Sequence, residues 1–427
     1  MVMAAVPLSA EDRAILELES GAVAGHTCKV VMLGAPAPSV EALRGSVARR
    51  IDAAPALKRR LSGPARQPVW VDDDRFDIAA HVVAAEGEGS ADELRERVAE
   101  LFAERLDRDR PLWRIDVVPL APAMSGIGDT AVVWRIHHAL ADGTTAMRFA
   151  DAMLWDAAGP PRAEPHRAHR PATAADHGRR QAGLAAFFRH EVALGAGRSP
   201  FDARIGSGRE IAFASAPLRP LHDAAKRICG ATVNDAVLAT VAGSLRGWLQ
   251  HHHGRLGGLR VKVPVSLHHG DDAGNRDSFF TLELPLGEPD PVARLRAICG
   301  ATAERKEDHD AETLDRLMRE LARASPALER FGHKLESSPR AFALSVSNVP
   351  GPGGPLTIVG APVEAVYSIA EIGERHALRI AVVSACGDLR FGFCSDPAIV
   401  HDLGRLALGV ESEVSALMHA AGPAAGV

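Results

Sequence analysis

Aromatic residues are scarce in this sequence, at 4% with one tyrosine and five tryptophans. A base-stacking platform for single-stranded nucleic acid would have to be built from very little. Positive charge is not in excess either, because 49 Lys and Arg stand against 54 Asp and Glu, a net charge of −5. That balance gives no global attraction to nucleic acid or acidic lipid, so nucleic acid is discounted as a partner. The five cysteines (Cys28, Cys229, Cys299, Cys386 and Cys394) are odd in number, widely spaced and without a C-x-x-C pair. This argues against a disulfide framework or a thiolate zinc site, and reduced thiols of a cytoplasmic protein are expected. No apolar run approaches the roughly 20 residues that a membrane-crossing helix needs. The segment Met1 to Leu8 is apolar but short and runs into Glu11-Asp12-Arg13, a poor match to a signal peptide.

What is present is the composition of a folded protein, with 46% hydrophobic and 24% charged residues over 427 positions. That length suits two domains of ordinary size better than one core, and two domains allow a cleft between them. Residues 1–158 are expected to form an N-terminal domain, 159–205 a crossover linker and 206–427 a C-terminal domain. In the linker, Pro160, Pro161, Pro165 and Pro171 sit among Arg162, Arg167, Arg170, Arg179 and Arg180. Such a stretch reads as a solvated linker, with peripheral contact to an anionic membrane surface or lipid body as the other reading.

Periodicity predicts a mixed α/β chain. Ser9 and Ser39 are expected to cap helices, and Asp92–Leu106, Thr232–Gln250, Pro291–Lys306, Ala311–Ala322 and Pro397–His419 read as helices. Pro68–Val71, Ile78–Ala84, Trp113–Pro119, Ala131–His138, Leu259–Val265, Phe279–Leu284, Ala341–Ser347, Ala377–Ser384 and Asp388–Cys394 read as strands. His251-His252-His253 before Gly254 reads as an exposed helix end, and His268-His269 as a surface loop.

The stretch Val132 to Thr144 carries the chemistry. An apolar strand ends in His137-His138, a tight segment holds Asp142-Gly143, and Thr144 is expected to cap a helix with Ala146, Met147, Ala150 and Met153 on one face. Neighbouring strand residues point to opposite sides, so only one imidazole enters a given cleft and the other is structural. A histidine there suits general base catalysis on a hydroxyl, and Asp142 could hold the turn or orient the ring. A metal site is disfavoured, because adjacent side chains diverge and no third ligand lies at a suitable spacing.

His137-His138-Ala139-Leu140-Ala141-Asp142-Gly143 resembles the H-H-x-x-x-D-G signature of the CoA-dependent acyltransferase superfamily. Five further motifs resemble, in order, the bacterial wax ester synthase/diacylglycerol acyltransferase family: Pro7-Leu8-Ser9 with Asp12, Pro111-Leu112-Trp113, Asn234-Asp235, Gly274-Asn275-Arg276, and Ser347 through Pro352. The resemblance implies two chloramphenicol-acetyltransferase-like α/β domains, each a mixed sheet flanked by helices, with a tunnel between them. It implies acyl transfer from acyl-CoA, a co-substrate with no separate cofactor, to diacylglycerol or a fatty alcohol. His138 would be the base and Asp142 the structural acid, with His137 and Gly143 completing the signature. Asn234, Asp235, Ser347 and Asn348 would position substrate or hold the oxyanion, and Arg276, Trp113, Pro350 and Gly351 would support the site.

Each motif also has a structural reading: Asp235 as a helix-start acid, Ser347 to Gly351 as turn chemistry, Arg276 as a solvated loop base. Two other functions stay open on the sequence. One is a condensation-type enzyme fed by a carrier protein, and the other a non-catalytic lipid-binding protein on the same scaffold. The chain departs from the family in the early strand, where Gly25-His26-Thr27-Cys28 keeps only the His of the usual Met-His pair.

Overall fold

The computed structural model describes residues 5–64, 67–85, 87, 89–120, 128–156, 199–254, 256–266, 277–307 and 341–422. Most of the 159–205 linker, Gly274-Asn275-Arg276, His268-His269 and the helix expected over Ala311–Ala322 lie outside them.

Two six-stranded mixed sheets organise the chain. The first runs β12 (Thr357–Ile358), β13 (Ala361–Ala370), β2 (His26–Leu33), β7 (Thr130–His137), β6 (Trp113–Pro119), β5 (Val82–Ala84). The second runs β10 (Asp277–Leu284), β9 (Leu259–Ser266), β11 (Leu344–Pro350), β14 (Leu378–Ala385), β15 (Asp388–Ser395), β8 (Glu210–Pro217). A small third sheet joins β1 (Val6–Pro7), β4 (Val69–Asp72) and β3 (Arg59–Ser62). Helices flank the large sheets: α1 (Ala10–Leu18), α2 (Val40–Arg50), α3 (Ile78–His81), α4 (Ala91–Ala103) and α5 (Gly143–Met153) in the first half, and α6 (Leu218–Cys229), α7 (Val233–His253), α8 (Pro291–Glu307) and α9 (Leu403–Ala420) in the second.

β2 and β7 are buried along their whole length, as strands covered on both faces must be. Their eight-residue antiparallel register sets His26 opposite His137 and Lys29 opposite Trp134. Cys28, Val30 and Met32 pack into one core with α4 and the second sheet, while Val31, Leu33, Trp134 and Ile136 pack into another with α2 and α5. The late strand β13 crosses over to pair with β2 from Val363 to Ala370, so the first sheet takes strands from both ends of the sequence.

Several elements differ from expectation for identifiable reasons. Ile78–Ala84 is not one strand: Asp77 accepts the Ala79 N–H at 2.9 Å and starts the one-turn helix α3, and only Val82–Ala84 pairs. β11 begins at Leu344, not Ala341, and runs to Pro350, which lacks an N–H to continue the ladder. Ser347 and Asn348 therefore sit within the strand rather than at its end. The last helix starts at Leu403, not Pro397, because Asp396 accepts the Ala398 N–H in a local turn and Asp402 adopts φ 57° just before the helix. The helix after the signature is capped by Asp142, not Thr144: its carboxylate accepts the Thr145 N–H at 2.6 Å. Asp is among the best N-caps and stands two residues earlier, which leaves Thr144 inside the first turn.

Candidate active site

The two signature histidines take opposite roles. His137 ends β7 on the side of Val133 and Arg135, and its ring is 2% exposed. Its Nε2–H donates to Glu19 Oε1 at 2.7 Å, and its Nδ1 accepts the Ala139 N–H at 3.0 Å. The carbonyl of His137 accepts from the Leu140 and Ala141 amides at 2.9 and 3.1 Å. Three consecutive N–H groups of the signature turn are thus satisfied by one residue. Its own N–H donates to the Leu112 carbonyl at 2.9 Å, which ties the turn to Pro111-Leu112-Trp113.

His138 continues the face of Trp134 and Ile136, the face on which Lys29 lies, and stays partly exposed. Its backbone N–H donates to the Gly25 carbonyl at 3.0 Å. Burial lowers its pKa to about 3, and the charge of Arg379, the next largest cause, acts in the same direction against Asp142. The ring is therefore neutral across the physiological range, a weak base whose conjugate imidazolium is correspondingly acidic. Lys29 is buried between strands, donates from Nζ to Ser368 Oγ at 2.7 Å and is drawn down to about 8 by burial, against the opposite pull of Cys28 and Asp142.

Three of the other motifs pack against the signature. Leu8, Leu16, Leu112 and Ala139 form one buried cluster with Trp70, which joins the first motif, the Pro111-Leu112-Trp113 segment and the signature. Trp113 donates from Nε1 to the Leu57 carbonyl at 2.7 Å and stacks on His81 at 4.5 Å. Gly143 meets β11 across the domain boundary, where a Cβ on it would lie 3.2 Å from Val349 Cγ2. Gly351 closes on β14: its N–H donates to the Ser384 carbonyl at 2.9 Å, and a Cβ would lie 2.6 Å from that oxygen. Pro350 stays at the exposed end of β11.

Ser347 shares the β11 face of Val349, but Asn348 lies on the opposite face with Leu344 and Val346, its buried Oδ1 without a hydrogen-bond partner among the described residues. Asp235 does not present a carboxylate to substrate. One oxygen accepts from Thr232 N–H and Oγ1 at 2.8 and 2.7 Å, and the other accepts from Thr302 Oγ1 at 2.6 Å. It closes the capping box of α7 and ties that helix to α8. Asn234, half-buried beside it, makes no hydrogen bond to the signature among the described residues. Arg276 lies outside them.

Sequence reasoning missed Glu19, Gly25, Lys29 and Arg379. Lys29 and Arg379 carried a readable signal, a lone charge in an otherwise apolar strand. Glu19 carried none. Among the described residues no group of three or more His, Cys, Asp or Glu is placed to hold a metal ion.

A histidine at a strand end, on a turn with a buried Asp cap and faced by a second mixed sheet, is the arrangement that the H-H-x-x-x-D-G resemblance leads one to expect. Comparison with known proteins narrows this. Residues 8–193 match the wax ester synthase/diacylglycerol acyltransferase catalytic domain, and residues 273–418 match the WS/DGAT C-terminal domain. The probable diacylglycerol O-acyltransferase tgs2 of Mycobacterium tuberculosis is 31% identical over 85% of this chain and 86% of its own. The probable diacylglycerol O-acyltransferase tgs1 of the same organism is 29% identical over 91% and 90%. Among solved structures, the wax ester synthase/diacylglycerol acyltransferase of Marinobacter aquaeolei superposes with a TM-score of 0.73 at 24% identity, covering 98% of this chain and 100% of that one. The first condensation domain of the calcium-dependent antibiotic synthetase shares the fold at a TM-score of 0.63 and 17% identity, over 99% and 98% of the chains. The chain belongs to the wax ester synthase/diacylglycerol acyltransferase family and is an acyltransferase.

Proposed function

We propose that this acyltransferase moves a long-chain acyl group from acyl-CoA to a lipid hydroxyl, diacylglycerol giving triacylglycerol or fatty alcohol giving wax ester, with His138 as the general base. The observation that carries this reading is a neutral, partly exposed imidazole fixed at the end of β7 by the Gly25 carbonyl. His138 takes the proton of the acceptor hydroxyl as its oxygen attacks the thioester carbonyl. The tetrahedral oxyanion collapses with cleavage of the C–S bond, and the imidazolium returns its proton to the CoA thiolate. One base serves both steps in a ternary complex, so no acyl-enzyme and no further cofactor is needed. The low pKa supports the second half of the cycle in particular, because it makes the imidazolium a strong acid towards the thiolate.

The acyl chain would lie in a tunnel between the two domains. Both acceptors are water-insoluble lipids, which supports delivery at a membrane or lipid-body surface by a cytoplasmic enzyme in peripheral contact with it. The free state of all five cysteines is consistent with that compartment, and no single described helix is long and apolar enough to cross a membrane.

The test is thiol release from palmitoyl-CoA by the purified protein with hexadecanol, dioleoylglycerol or no acceptor, beside His138→Ala, with products identified as esters. Acceptor-dependent release that vanishes in the variant is the expected result and ranks the acceptors. Equal release with and without His138, or none with either acceptor, overturns the proposal.

A further inference from the structure

Glu19, the residue after α1, is 118 positions away from His137 in sequence, yet its side chain is only 7% exposed and its Oε1 lies 2.7 Å from His137 Nε2. The same Oε1 lies 2.8 Å from Arg108 Nη2, at the rim of the protein. Burial pushes the Glu19 carboxyl up, but the hydrogen bonds from His137 and Arg108 outweigh it and hold the group below its ordinary range. The opposite ring nitrogen of His137 accepts the Ala139 N–H. A proton on that nitrogen would face another donor, so the turn is compatible with one form of the ring only, neutral and protonated on Nε2. A group that accepts from Nε2–H selects that form, and a carboxylate is the strongest such acceptor among side chains.

We infer that Glu19 is a positioning residue for acyl transfer: it locks His137 in the Nε2–H form, and His137 in turn organises the 137–141 turn that holds His138 against substrate. The inference rests on the reading of His138 as the base. The chain around Glu19 is shaped for this contact. After α1 it returns through Gly25, whose φ of 77° lets its carbonyl meet the His138 N–H while its bare Cα leaves room for the relay. A Cβ there would lie 2.6 Å from His137 Nε2 and 2.9 Å from Glu19 Cγ. Glu19 touches no reacting atom and acts through a chain of contacts, carboxylate to imidazole, imidazole to amide, amide to the backbone beside the base. A tautomer change at His137 would turn an N–H···N bond into a donor–donor clash and move that backbone. Misplacement on the order of 1 Å costs about 100-fold in rate in other sites built on orientation.

Two measurements on the full chain test this. Long-range proton–nitrogen correlation of the histidine-labelled protein at neutral pH should find His137 protonated on Nε2 and bare at Nδ1. Steady-state kinetics with palmitoyl-CoA should then find kcat lowered about 100-fold in Glu19→Ala with KM for acyl-CoA unchanged. Glu19→Gln keeps an acceptor oxygen and should recover most of that loss and the wild-type tautomer. A wild-type ring carrying its proton on Nδ1, or on both nitrogens, overturns the inference whether or not Glu19→Ala folds. A folded Glu19→Ala or Glu19→Gln protein that loses the Nε2–H form but keeps wild-type kcat overturns it as well. If wild-type protein transfers no acyl group, the failure lies in the reading beneath, and the positioning role falls with it whatever the tautomer.

Discussion

The carbonyl of Gly25 accepts the backbone N–H of His138 at 3.0 Å, and the Cα of the same glycine closes against the ring of His137. One residue of the loop before β2 therefore touches both signature histidines, and it does so at a φ of 77°, where side chains are rarely tolerated.

Gly25→Ala should be costly on two counts. The backbone conformation is strained for any L side chain, by about 1–3 kcal/mol, and the new methyl would collide with His137 and Glu19. We expect a lower urea midpoint with unchanged m-value, and turnover reduced beyond the loss of folded protein. Wild-type activity in the folded fraction would show that the glycine serves the loop alone.

Asp142→Ala removes the N-cap of α5 at a 2%-exposed position, a loss of about 0.5–2 kcal/mol. Asp142→Asn can still accept the Thr145 N–H and should keep most of that stability. Thermal unfolding of both variants beside their rates separates the cap from electrostatics at His138. Full stability with lost activity in Asp142→Ala would count against a structural role for the acid.

The pH profile should look unlike that of an ordinary histidine base. A ring with a pKa near 6.5 would lose activity as the pH falls through that value. His138 is held at about 3, so kcat/KM should stay level from pH 7 to 5, with the acid limb displaced towards unfolding. Arg379 is the charge that lowers it most after burial, so Arg379→Gln should move the limb to higher pH. A limb at 6.5 in the wild type would mean that the ring is better solvated in solution than its surroundings imply.

Acid sensitivity of the fold follows from the same burial. His26, His81, His138 and His376 all have folded pKa values below the ordinary one, burial being the largest cause in each, with His376 drawn to about 4. Between pH 6.5 and about 4 the unfolded chain binds protons that the folded chain refuses, so stability falls as pH drops. Over that window His138 and His376 each contribute a slope approaching about 1.4 kcal/mol per pH unit. Urea unfolding at pH 7, 6 and 5, followed by tryptophan fluorescence, should show a midpoint that declines already above the carboxylate range.

Local signals were legible in the sequence and long-range ones were not. Ser9 and Ser39 announce helix starts through side chains that reach their own third residue, and both cap as expected. The strand Trp113–Pro119 was equally readable from its residue pattern. The passage of β13 into the first sheet was not, because its pairing partner β2 lies more than 300 residues earlier and no local pattern specifies it. The signature itself was legible as chemistry, since the alternation rule already separates its histidines. Glu19 was invisible for the reason β13 was: its role is created by a contact across 118 residues.

A buried ion pair clamps the loop that carries Gly25 to the second half of the chain. Arg209 Nε lies 3.0 Å from Glu371 Oε1, and the other oxygen of Glu371 accepts the Ala24 N–H at 3.0 Å. Arg209 also donates to the Ala22 carbonyl, so both members grip residues 22–24. Burial pushes the Glu371 carboxyl up, against the opposing pull of Arg209 and of the Ala24 and Ile372 N–H groups. Arg209→Met leaves that carboxylate unpaired and should destabilise the protein by about 3–5 kcal/mol, whereas the double change with Glu371→Leu should cost less than the sum of the singles. Because the grip ends one residue before Gly25, the double variant should regain stability faster than it regains turnover. Equal recovery of both would show that the clamp holds the domains together without setting the position of His138.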